Sequence, residues 1–134
     1  MTGLGLRSPT RSSVGSRRAK NSMAKEILKT PELGYVIIFV PNVARAVSFY
    51  EAAFGVRPRF LHESGQYAEL ETGRTALAFA DETGIAHRHA FLPNRAERTA
   101  AGAEIAFVVE DVRAAFGKAV ASGATPVVEP IDEP

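Results

Sequence analysis

Few side chains in this chain are of a type and spacing that could do chemistry. Glu69 and Glu104 each stand in an otherwise apolar, strand-like stretch. As a pair of carboxylates they would suit general acid–base work. Singly, either would bind a cationic or hydrogen-bonding ligand, or face solvent at a strand edge. Nothing in the sequence fixes their separation. His62 could orient a ligand or act as a base, or stand at the solvent edge beside Glu63. His87 and His89 are one residue apart, a weak metal signal on its own. Tyr35, Phe39 and Tyr67 read as stacking partners for a planar ligand or as core aromatics. The chain has no cysteine, which excludes disulfides, zinc–thiolate sites and cysteine nucleophiles. It also lacks a glycine-rich phosphate loop, a nucleophile elbow and a His-Glu-x-x-His helix.

These candidates must be placed by a domain of modest size. The 134 residues suffice for one domain plus a tail, with 46% hydrophobic and 23% charged residues, as in an ordinary globular protein. Residues 1–22 hold five of the sixteen basic groups and none of the fifteen acids, so the remainder carries eleven basic against fifteen acidic groups, a balance of −4. A domain of that sign has no electrostatic reason to seek nucleic acid. The longest apolar run, six residues from Tyr35, is far short of a membrane span, and no secretory h-region is present. The expectation is therefore a cytoplasmic protein with neither nucleic-acid nor membrane partners. Residues 1–30 are expected to be a disordered basic tail. Three readings of that tail stand side by side: Met23 as the true start, an organellar targeting peptide, or an added or functional extension.

Beyond the tail, residues 35–40 form the first strand, and Asn42 caps a helix with Val43, Ala46, Val47, Tyr50 and Phe54 on one stripe. Gly55 stops it. Strand candidates at 58–63, 66–71 and 75–81 are separated by Ser64-Gly65 and Thr72-Gly73, giving an antiparallel meander. Reading Thr72-Gly73 as a two-residue loop pairs Glu71 with Arg74, Glu69 with Ala76 and Tyr67 with Ala78. After a linker, 82–103, the pattern returns. A strand spans 104–109, and Asp111 caps a helix with Val112, Ala115, Phe116, Ala119 and Val120 inward. A glycine stop follows at Gly123, and a short strand at 125–129. Strand, cap, amphipathic helix and glycine stop thus occur twice, about 69 residues apart, which suggests two fused modules rather than a solenoid.

The repeat resembles the vicinal oxygen chelate superfamily, which includes glyoxalase I, extradiol dioxygenases and bleomycin-binding proteins. The matching pieces are Val40-Pro-Asn-Val43, Ser48-Phe-Tyr50 with Phe54-Gly55, and Val109-Glu-Asp-Val112 with Ser122-Gly123-Ala124. The resemblance implies an α+β fold of paired βαβββ modules, with module one at 33–81 and a partial module two at 104–134. Relatives continue with two further strands, so the chain reads as C-terminally truncated. The segment after Gly123 lacks a neighbouring strand and is expected to be displaced or disordered, and the open edge at 104–109 to pair with another chain. An inactive truncated fragment is one consequence to weigh. In such a fold one sheet face is covered by the helix and the other lines a ligand cavity. The resemblance and strand alternation place Tyr35, Ile37, Phe39, Tyr67, Glu69, Glu71, Glu104, Ala106, Val108 and Ala76, Ala78 and Ala80 on the cavity side, the alanines leaving open volume.

The family's metal-ligand positions fall here on Tyr35, Ala78, Glu104 and a place past Pro134. No metal and no other cofactor is therefore expected. The resemblance then implies a small-molecule-binding protein of the bleomycin-resistance type, acting as a homodimer rather than as an enzyme. Its ligand-binding residues would be Tyr35, Phe39, His62, Tyr67, Glu69 and Glu104. The alternative is a metal-dependent lyase or dioxygenase resembling glyoxalase I.

Overall fold

The computed structural model describes residues 30–85 and 89–132. The basic tail up to residue 29, the Met23 start and His87 lie outside the described residues. Strand β1, Tyr35–Val40, leads into helix α1, Val43–Phe54. Asn42 caps that helix by accepting a hydrogen bond from the Arg45 amide at 2.9 Å. Gly55 ends it with φ 69°, in the left-handed region where a side chain is strained. Strands β2, Pro58–Leu61, β3, Tyr67–Leu70, and β4, Ala76–Asp81, follow, then a single turn α2, Glu82–Ile85. Helix α3, Val112–Ala121, is capped by Asp111, which accepts from the Ala114 amide at 3.0 Å.

The sheet order is β1-β4-β3-β2, with β1 parallel to β4 and the other pairs antiparallel. The expected pairing of β3 with β4 is two residues out. Glu69 lies opposite Ala78, and Tyr67 opposite Ala80. Thr72 explains the wider loop: its hydroxyl donates to the Thr75 carbonyl at 2.7 Å and accepts from the Leu77 amide at 2.9 Å. A side chain thereby satisfies backbone groups that a tight hairpin would have paired across the two strands. Because side chains alternate with period two, a two-residue shift leaves every one on its expected face.

The core lies between α1 and one sheet face. Val43, Val47, Tyr50, Ala68, Leu70, Leu77 and Phe79 are buried there, with Val36, Ile38 and Val40 partly buried around them. Tyr50 meets Phe79 with ring centroids 4.9 Å apart. From the second module, Ile105 and Phe107 join this cluster, Phe107 lying 5.1 Å from the Phe54 ring.

The rest of that module forms no sheet of its own, as expected for the segment after Gly123 but not for 104–109. Residues 104–109 form one isolated bridge at Ala106 instead of a strand, and 125–129 form no strand. The physical reason is the lack of neighbours: a short strand without partners to hydrogen bond is not stable in water. Helix α3 buries only Ala119, with Ala115 and Phe116 half-buried, while Val112 and Val120 stay exposed rather than inward. No helix among the described residues is long and apolar enough to cross a membrane.

Candidate functional site

The sheet face away from α1 carries the candidate chemistry. Strand pairing sets Tyr35 beside Ala76, Ile37 beside Ala78 and Phe39 beside Ala80 on β1 and β4. Glu69 follows on β3, flanked by Ala78 on one side and Phe60 of β2 on the other. Tyr67, two residues from Glu69, shares its side.

A β-bulge adds one more residue to this face. Pro58 pairs with Leu70 and Phe60 with Glu69, so Arg59 is the extra residue between them. Alternation counted from Phe60 would turn Arg59 toward the helix face, and counted from Pro58 toward the open face. The bulge lets its guanidinium reach Glu69.

Glu69 is the centre of the resulting network. Its Oε2 accepts from Arg59 Nη2 at 3.0 Å and Nε at 3.2 Å, and its Oε1 accepts from the Tyr67 hydroxyl at 3.0 Å. The Arg59 Nη1 makes a longer bond of 3.4 Å to the Gly73 carbonyl. The Arg59 and Glu69 side chains are 33% and 15% exposed, so water screens the pair only in part. Hydrogen bonding to Glu69 raises the Arg59 pKa further, opposed by desolvation and helped by the Glu69 charge. Tyr67 is pushed up to about 12, first by burial and then by its hydrogen bond to Glu69, because a phenolate there would face a carboxylate. Tyr35 is close enough to act electrostatically on both Arg59 and Tyr67.

The other sequence candidates separate from this centre. Phe39 is half-buried beneath the linker, with the rings of Phe91 at 4.7 Å and His89 at 5.4 Å. His62 sits exposed in the β2–β3 turn, its Nδ1 accepting from the Ser64 amide at 3.1 Å. Glu104 is exposed and has no hydrogen-bond or ion-pair partner among the described residues. The alanines leave less room than expected: Ala76 and Ala78 are 0% exposed and Ala80 is 7%, because larger neighbours close over them. What stays accessible is the rim, with Tyr35 at 55%, Ile37 at 45% and Phe60 at 46% exposed.

At the far end of β4, the Asp81 carboxyl is held below its usual range by the Thr83 hydroxyl and amide. Arg95 folds the linker down by a two-pronged ion pair to Glu82, at 2.7 and 2.9 Å. Among the described residues no three histidine, aspartate or glutamate side chains converge as a metal's ligands would.

Comparison with known proteins agrees with this geometry. The family model described as the Glyoxalase/Bleomycin resistance protein/Dioxygenase superfamily matches residues 32–134. No curated protein matches the chain. Among solved structures, it is similar in fold to a glyoxalase/bleomycin resistance protein/dioxygenase family enzyme from Burkholderia phytofirmans PsJN, at 23% identity and a TM-score of 0.60, over 77% of this chain and 82% of that one. With its β1-β4-β3-β2 sheet backed by one helix and its matched span from residue 32 onward, the chain belongs to the glyoxalase/bleomycin resistance protein/dioxygenase superfamily.

Proposed function

We propose that the chain is a small-molecule-binding protein in the manner of the bleomycin-resistance branch, working as a cytoplasmic homodimer. The supporting observation is the polar network of Arg59, Glu69 and Tyr67 set within an apolar sheet face. A face built only for packing would carry aliphatic side chains. One with a few convergent polar groups among exposed aromatics suits a ligand. Tyr35 and Phe60 supply the rings, Phe39 and His62 stand at the margins, and Glu104 is taken as a further ligand-binding residue. The homodimer reading draws on exposed Val108, Val127, Val128 and Ile131, which a second copy would cover.

The test is metal analysis of the purified full chain, combined with titration of the aromatic dye anilinonaphthalene sulfonate. The binding reading expects no stoichiometric metal, and saturable dye binding that weakens in Tyr35→Ala and Phe60→Ala. Stoichiometric nickel, zinc, iron or manganese, with lactoylglutathione lyase or dioxygenase turnover, would establish the enzymatic alternative instead.

A further inference from the structure

Both oxygens of Glu69 are committed, Oε2 to Arg59 and Oε1 to Tyr67. The ion pair neutralises both partners, so what each can offer a ligand is set by its remaining hydrogen-bond capacity. By that measure Arg59 is in the opposite state to Glu69. A guanidinium carries five N–H donors, and Arg59 uses one each on Nε, Nη1 and Nη2. Two remain without an acceptor among the described residues, and one of the three bonds made is long, at 3.4 Å. The Tyr35 hydroxyl is likewise unpaired among the described residues, on a side chain 55% exposed and electrostatically coupled to Arg59. The face thus offers the two free N–H donors of Arg59 and the Tyr35 hydroxyl, with the Glu71 carboxylate near enough to act electrostatically on Arg59. These donors are bordered by the accessible rings of Tyr35 and Phe60.

We infer that the open face takes a planar aromatic ligand bearing a carboxylate or a comparable oxyanion, anchored by the free N–H groups of Arg59 and the Tyr35 hydroxyl; this rests on the small-molecule-binding reading above. The oxyanion accepts from the guanidinium fork, and the ring lies against Tyr35 and Phe60. Glu69 acts as a positioning residue. It holds the guanidinium in place from behind, and Tyr67 caps its other oxygen.

Three probes of one ring system test the assignment: naphthoate, its methyl ester and naphthylmethylammonium, each titrated into the full chain while backbone amide resonances are followed. Naphthoate should shift amides of β1 and β2 and bind roughly ten- to a hundred-fold tighter than the ester, the range expected for charge-assisted hydrogen bonds. The ammonium probe should be the weakest. Arg59→Gln should abolish the advantage of naphthoate and raise binding of the ammonium probe, since Glu69 then loses its neutralising partner. Arg59→Lys keeps the charge but loses the fork, and should bind naphthoate at an intermediate level.

Ester or ammonium binding as tight as naphthoate would overturn the anion assignment while leaving the small-molecule reading in place. Naphthoate binding unchanged in Arg59→Gln would do the same. If no probe moves any open-face amide, both readings fall. Should Arg59→Gln not fold, the ranking of the three probes on the unaltered chain decides the matter.

Discussion

Burial and the hydrogen bond to Glu69 hold the Tyr67 phenol in its neutral form. Together they raise the Tyr67 pKa to about 12 from the ordinary tyrosine value of 10.0, so the folded chain binds that proton more tightly than the unfolded chain does. By linkage, this contribution to stability is fully present below the unfolded value and is lost as pH rises from there to about 12. Phenolate absorbance across that range should include a late step from Tyr67, and Tyr67→Phe should remove one tyrosine's amplitude from it. In Glu69→Gln the late step should move down yet stay above the usual tyrosine range, because burial is the larger cause. A late step of undiminished amplitude in Tyr67→Phe would refute the assignment.

At the level of elements, caps and loop chemistry set where α1 starts and how β3 meets β4. Asn42→Ala removes the acceptor for the Arg45 amide and should cost about 1 kcal/mol in a denaturant titration. Gly55→Ala should cost a similar ~1 kcal/mol through its positive φ, since the nearest atom to an added Cβ, Lys118 Nζ at 3.6 Å, leaves room for it. Both caps and the α1 stripe were legible in the sequence because they depend on neighbours within a turn or two. The β3–β4 register and the reach of Arg59 were not. The first turns on the Thr72 hydroxyl replacing backbone pairing, the second on a bulge that breaks strand alternation.

For the whole molecule, stability rests on the single layer between α1 and the sheet. Phe79 is 1% exposed at its centre, so Phe79→Ala should cost about 3–5 kcal/mol, a large part of a typical domain's ~5–15 kcal/mol. A loss below about 1 kcal/mol would show that the core lies elsewhere. The second module adds Ile105 and Phe107 to this layer but leaves Val108, Val127, Val128 and Ile131 exposed. Light scattering after size-exclusion chromatography should therefore report a dimer. A monomer with amides 104–109 strongly protected from hydrogen exchange would show that the chain covers these residues by itself.

The sequence by itself determined the first module: its strand–helix–meander order, both helix caps, the apolar stripe and which residues share a sheet face. Those features follow from local periodicity and from chain neighbours close enough to act without the rest of the fold. It also carried the family, through short pieces such as Val40-Pro-Asn-Val43 that the match over residues 32–134 bears out. Only the tertiary structure brought Arg59 onto Glu69, laid His89 and Phe91 over Phe39 and closed the alanine row beneath larger side chains. Each of those depends on a bulge, a returning linker or the lean of long side chains across strands. Such long-range placements are fixed by packing, and packing leaves no period in the chain to read.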